Sequence, residues 1–244
     1  KMGQPPYPPK PMVILLLLKT WLGMDYRSIS AYLRAFPEQR RKIGLDEAPS
    51  HTSIRNHMLR LPEAYLRRLN AQLTKHIKKG FAADSTGFGI HRYETWLTVK
   101  KKRKRRKYLK LHLLIALRNL AILNLGITKG TRHDSPILKG FSNPYRKAMG
   151  PHANHQAEKK HNHRETWKQS MARHDHAKLE DKKSFLERYH QRSKAESVYG
   201  VLKRCYGNHL SSHKRSPQRR ELHLKTLICN IGIANLTSIR EENG

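Results

Sequence analysis

Apolar residues recur at helical spacing through residues 12–78. Leu15, Leu18 and Leu22, followed by Ile29, Tyr32 and Leu33, keep a three-to-four-residue period, which predicts helices with one apolar face. Gly23-Met24-Asp25 interrupts the pattern. Pro49-Ser50-His51-Thr52 supplies capping hydroxyls ahead of Ile54, Met58 and Leu61. Pro62 punctuates, and Tyr65, Leu66, Leu69 and Leu73 resume the period. The five prolines of residues 1–11 predict an extended lead-in. Met12 to Leu18 is an apolar run between Lys10 and Lys19. It is far shorter than the roughly 20 residues that span a bilayer, and no small-residue cleavage site follows it, so a buried helix is expected there. The chain starts at Lys1 rather than at Met, as expected of a fragment. A short helix, a break and a second helix that opens Ser-x-Thr-Ser and carries Arg55, Asn56 and His57 are compatible with a helix-turn-helix reader of DNA. A plain helical bundle is the alternative.

From Phe81 the pattern changes to short apolar runs separated by turn signals. Phe81–Phe88, Thr95–Val99, Tyr108–Leu117 and Leu120–Ile127 predict three or four strands of one sheet. Asp134-Ser135-Pro136 opens a short helix over 135–141. Residues 142–180 hold six histidines, many Lys and Asn and few aliphatics; they read as a loop or insert leading into a helix near Thr166. Helices follow from Lys182 to about Gly207 and from Ser216 to about Leu236. The expected architecture is α/β in two parts. Residues 1–78 form a helical region, a candidate DNA-binding one; residues 79–244 form a mixed sheet flanked by helices, with an insert around 142–165.

Charge narrows the function. Fifty Lys and Arg against 18 Asp and Glu leave a formal charge of +32. This excludes an ordinary metabolic enzyme and calls for a polyanionic partner, nucleic acid first and a membrane surface second. Cys205 and Cys229 are too few for a disulfide framework, which points to a reducing compartment. Lys100 to Lys107, including Lys101, Arg103 and Arg105, is an unbroken basic run between two strand-like segments. It suits phosphate contact, which positions a nucleic acid without specifying its sequence; a solvated loop or a targeting signal is the bland reading. The histidines of 152–176 lack nearby cysteines and ligand spacing for zinc, so solvated or phosphate-facing imidazoles are expected.

The scarce carboxylates carry more information. Asp84 ends a short apolar segment, where an acid is costly unless paired or bound to a metal. On the helix after Lys182, Tyr189, Arg192, Glu196 and Lys203 fall within about 60° of one face. Val198, Val201, Leu202 and Cys205 lie opposite and are expected to face a core. Geometry alone is equally compatible with a surface ion-pair stripe.

Tyr189-x-x-Arg192-x-x-x-Glu196-x-x-x-x-x-x-Lys203 resembles, at every position, the C-terminal signature of the insertion-sequence DDE transposases, of the IS-four and IS-five kind. Leu186 to Val198 as a string, Ala83-Asp84-Ser85-Thr86-Gly87-Phe88 and Gly130-Thr131-Arg132-His133-Asp134-Ser135-Pro136 resemble the same family. The resemblance covers residues 81–138 and 166–240. It implies an RNase H-like core whose two Asp and one Glu hold two divalent metals, Mg²⁺ or Mn²⁺, for in-line displacement at phosphorus. Water and then a DNA 3′-hydroxyl would be the nucleophiles. By resemblance Asp84 and Glu196 are metal ligands, Arg192 and Lys203 hold DNA phosphates, and Tyr189 supports them. The family's second catalytic Asp, in a motif like Asp-Lys-Ala-Tyr-Asp, has no counterpart here. Asp134 is the nearest acid but is a turn residue in the family; Asp175 and Asp181 lie in other contexts. The expectation is a nucleoid-associated cytoplasmic transposase, homodimeric on double-stranded DNA, that binds transposon ends and has lost or nearly lost strand transfer. The alternative from another class is a non-enzymatic nucleic-acid-binding protein. An RNA-binding or ribosome-associated factor fits the charge but not the Tyr-Arg-Glu-Lys stripe.

Overall fold

The computed structural model describes residues 6–77, 80–90, 108–130, 132, 136, 137, 140, 141 and 193–242. Among them the elements are α1 (Pro9–Trp21), α2 (Tyr26–Ala35), α3 (Pro37–Lys42), α4 (His51–Arg60), α5 (Glu63–Thr74), β1 (Phe81–Gly89), β2 (Tyr108–Ala116), β3 (Ile122–Lys129), α6 (Ser193–Tyr206) and α7 (Arg215–Glu242). Part of the proline lead-in, the Thr95–Val99 segment, the His-rich stretch and the helix expected between Lys182 and Arg192 lie outside the described residues.

The helical breaks fall where the punctuation put them. Gly23 adopts φ +65° just after α1, a left-handed conformation that glycine enters without the steric cost of a Cβ. The Asp25 carboxylate then accepts from the Ser28 amide at 2.7 Å and caps α2. Ser50 caps α4 in the same way, accepting from the Ser53 amide at 3.1 Å. The lead-in is shorter than expected: α1 already begins at Pro9. Proline suits a first turn, where the missing N–H has no intrahelical acceptor. Met12, Val13, Leu15 and Leu16 are buried on α1, as the apolar run requires.

Strands β1, β2 and β3 pair antiparallel in that order, with Asp84 opposite Leu113 and Leu113 opposite Leu125. A single parallel bridge joins Gly89 to His209: the Gly89 amide donates to Asn208 O at 3.0 Å, and Gly89 O accepts from the Leu210 amide at 2.9 Å. One sheet face, with Phe88, Leu111 and Leu113, packs on Val198 and Leu202 of α6 and Leu222 of α7. The other face carries Leu114, Ala116 and Leu123, and Phe141 packs against it. This α/β arrangement, an antiparallel sheet flanked by helices with further helices at the N-terminus, is consistent with an RNase H-like fold. Among the described residues no helix is long and apolar enough to cross a membrane.

Helix α7 is shared by two cores. Leu222 and Cys229 join the sheet cluster, whereas Leu224 and Leu227 join Leu16, Leu33, Ile54 and Leu66 of the N-terminal helices. Residues 221–230 are buried without a gap. The polar side chains of this helix are therefore inside, and burial demands partners for them. Arg219 donates to both Glu63 oxygens and to Ile127 O, linking α7 to α5 and β3. Asn230 and Asn70 together bind the backbone at Ile122 and Leu123.

His223, 1% exposed, sits within 3.7 Å of the Glu63 carboxylate. Burial holds its pKa down to about 4, with Glu63 opposing and Arg67 and Arg219 reinforcing the effect. A depressed histidine pKa means the fold prefers the neutral ring. Its contribution is complete above about pH 6.5 and is lost as pH falls toward 4, a difference of about 3 kcal/mol. His57, lowered by its own burial, adds in the same direction. We expect the urea midpoint to fall between pH 7 and pH 4.5, and to fall less in His223→Gln. Equal slopes for the two proteins would remove His223 from the acid response.

Candidate functional site

Strand alternation sets one half of the site. Ala82 and Phe88 of β1 join the core beneath α6 and α7, so Asp84 and Thr86, at the same parity, stand on that face. Helix α6 supplies the other half. Its buried residues are Ala195, Val198, Tyr199 and Leu202. Val201 is 47% exposed and Cys205 is exposed, so the core stripe is rotated from the expected one toward Tyr199. The reason is a polar contact: the Tyr199 hydroxyl donates to the main-chain carbonyl of Asp84. One turn later Lys203 Nζ donates to Thr86 Oγ1 at 2.7 Å.

These two contacts fix the direction of α6. Four helical residues rise about 6 Å and two strand residues about 6.6 Å. Tyr199 meeting Asp84 and Lys203 meeting Thr86 therefore place helix and strand side by side in the same sense. Glu196 stands one turn before Tyr199 and is exposed. Of the residues singled out from sequence, the structure brings Asp84, Glu196 and Lys203 onto two packed elements. Asp134, Tyr189, Arg192, Lys101, Arg103 and Arg105 lie outside the described residues.

Lys203 is further held by an aromatic ring. Its ammonium lies 5.7 Å from the Phe88 centroid, and that of Lys225 lies 5.5 Å from the same ring, both within cation–π range. Lys225 also donates to His209 O at 3.2 Å and pairs with Glu221 at 3.5 Å. Burial lowers the Lys225 pKa and Glu221 works against that. The Glu221 carboxylate in turn accepts from the Ser211 and Ser212 amides. Lys225 and Glu221 thus anchor the connection between α6 and α7, which keeps its bridge to Gly89. A Cβ on Gly89 would stand 2.6 Å from the His209 ring, so any larger residue would have to displace that ring.

Sequence reasoning missed Tyr199 and Thr86. The signal for Tyr199 was available: it lies three residues after Glu196 and four before Lys203, on the same stripe. Thr86 shares the strand parity of Asp84. Among the described residues no group of three or more His, Cys, Asp or Glu side chains is placed to hold a metal. Asp84 on β1 and Glu196 on the packed helix α6 are both oxygen donors of the kind hard dications take, and two carboxylates are fewer than two bridged ions need.

Residues 75–231, well over half of the chain, match the family model of the transposase DDE domain. The match runs from the end of α5 through the whole sheet and α6 into α7. No curated protein and no solved structure matches the chain.

Proposed function

The chain belongs to the transposase DDE-domain family, and from that membership we propose that it binds duplex transposon ends and centres its chemistry on Asp84 and Glu196. The transposase role follows from the family. What supports the Asp84 and Glu196 site most is the lateral docking of α6 on β1, with Tyr199 and Lys203 tied to the strand at Asp84 and Thr86.

Asp84 and Glu196 would hold Mg²⁺ or Mn²⁺. When bound, the ion polarises phosphoryl oxygen and helps generate the attacking oxygen nucleophile. The chain's own residues do the rest. Lys203, anchored between Thr86 and Phe88, offers a cation for a DNA phosphate beside the carboxylates. Arg192, with Lys101, Arg103 and Arg105 of the basic run, extends the phosphate track, and Tyr189 supports it by hydrogen bonding or stacking. Helix α4, with Arg55 and Asn56 exposed, is the proposed reader of the DNA ends within the region 1–78. The chain acts as a homodimer of an insertion sequence, since two ends must be handled together. Asp134 is the remaining acid for the second aspartate position. Because its sequence context is a turn, we place strand transfer at or near background in this copy.

The test is a pair of titrations on the full chain. Asp84→Asn and Glu196→Ala should each weaken Mn²⁺ binding, read by electron paramagnetic resonance, at least tenfold. Salt-sensitive binding to duplex DNA should persist in both. Unchanged Mn²⁺ affinity in both variants would leave a metal-free DNA-binding protein and overturn the site. Robust Mg²⁺-dependent cleavage of a transposon end by the unaltered chain, abolished by Glu196→Ala, would overturn the loss of strand transfer.

A further inference from the structure

We propose that Tyr199 is a positioning residue for the carboxylate pair: its hydroxyl locks α6 to β1 at Asp84 and thereby sets how far Glu196 stands from Asp84. The inference rests on the reading of Asp84 and Glu196 as metal ligands and goes beyond it, because Tyr199 is outside the Tyr-Arg-Glu-Lys signature.

Three observations carry it. Tyr199 is 6% exposed, and a buried phenol needs a partner for its hydroxyl. That partner is the carbonyl of Asp84 itself, the backbone of the residue whose side chain is to be placed. Tyr199 also lies between Glu196 and Lys203 along one helix stripe, so a single bond connects the strand carrying one acid to the turn of helix carrying the other. Apolar attraction is non-directional, so it opposes a small shift of a helix along a sheet face less sharply than a directional bond does. A hydrogen bond is directional, and here two of them in register, from Tyr199 and Lys203, oppose both sliding and rotation. In the proposed role Lys203 would exchange its Thr86 partner for a phosphate. The Tyr199 bond, under the helix, stays in place while it does so.

A cation with two protein carboxylates is sensitive to their separation, as metal affinity typically falls 10–100-fold when a supporting contact is lost. The experiment uses the full chain and Mn²⁺ alone. Tyr199→Phe removes only the hydroxyl and keeps the ring in the core. We expect Mn²⁺ affinity to fall about tenfold and the Mn²⁺ resonance spectrum of the bound ion to broaden, with the far-ultraviolet circular dichroism unchanged. Tyr206→Phe, on the same helix and packed against the same core, should leave both readouts as they are. Wild-type Mn²⁺ affinity and spectrum in Tyr199→Phe, while Asp84→Asn and Glu196→Ala abolish binding, would overturn the role of Tyr199 and leave the metal site standing. Loss of affinity in Tyr206→Phe as large as in Tyr199→Phe would reduce the effect to general packing and overturn the inference. Unchanged affinity in Asp84→Asn and Glu196→Ala would overturn the site and the inference together.

Discussion

Asn230→Leu is expected to destabilise the protein by about 3–5 kcal/mol, lowering the melting temperature by roughly 6–20 °C for a chain of this size. The side chain is 3% exposed and every polar atom on it is used. Its oxygen accepts from the Ile122 amide at 2.8 Å. Its nitrogen donates to Ile122 O at 2.8 Å and to Asn70 Oδ1 at 2.7 Å. The register between β2 and β3 shifts at Leu114/Ile115, beside this point, so Asn230 replaces ladder hydrogen bonds that the irregularity displaces. Leucine is close in size but leaves the Ile122 amide and Asn70 Oδ1 buried without partners, and each such loss costs about 1–3 kcal/mol. Asn70 binds the same carbonyls, at 2.8 Å to Ile122 O and 3.2 Å to Leu123 O. The double variant Asn70→Leu/Asn230→Leu should therefore cost less than the sum of the singles, since neither amide then strands the other. Urea denaturation of the four proteins measures this coupling; strict additivity would show that the two amides act independently.

Arg219→Met is expected to cost about 2–4 kcal/mol, the lower end reflecting partial solvent access. The guanidinium donates through Nε and one terminal nitrogen to the two oxygens of Glu63, both at 2.8 Å. Through the other terminal nitrogen it donates to Ile127 O at 2.8 Å. Arg219 and Glu63 side chains are 24% and 22% exposed. Removing the arginine leaves a half-buried carboxylate facing the buried His223, and it frees the β3 carbonyl that the arginine capped. The bond to Arg219 is the main reason the Glu63 pKa is lowered. The variant should thus lose its extra stability at neutral pH and show a shallower loss below pH 4.5, read from chemical denaturation across pH. Arg219→Lys keeps the charge but cannot serve both partners from one fork, so an intermediate loss is expected. Wild-type stability in Arg219→Met would show that the fork contributes nothing net.

These two residues show where local reading stops. The breaks in the N-terminal helices were legible because the punctuation there is local chemistry: Gly23 supplies a left-handed residue, and Asp25 and Ser50 cap amides three positions on. The strands were legible because apolar alternation survives in β2 and β3. Glu196 stood out through a motif whose spacing is itself a helix period, and Asp84 as an acid closing a short apolar segment. The stripe position of Tyr199 is legible in the sequence, but the partner of its hydroxyl, the Asp84 carbonyl on a strand 115 residues away, is not. The α6 core stripe is turned away from Val201 and Cys205 because Tyr199, which the apolar pattern leaves out, is an inward residue.

Helix α7 makes the division clearest. Helical period was sufficient to make residues 216–236 helical, with Pro217 in the first turn and Gly232 tolerated further on, since hydrogen bonds within a helix close over four residues. Glu221, His223, Lys225 and Asn230 belong, by their chemistry, on a solvated face. The tertiary structure puts them inside instead, because this helix lies between the N-terminal helices and the sheet and has no solvated face over residues 221–230. Asn230 binds Asn70 and Ile122, Glu221 and Lys225 bind the 207–212 connection, and His223 lies 3.7 Å from Glu63. Local interactions therefore chose the elements, and long-range pairing of buried polar groups chose how they dock, because an unpaired polar atom in the interior costs more than any local propensity can offset.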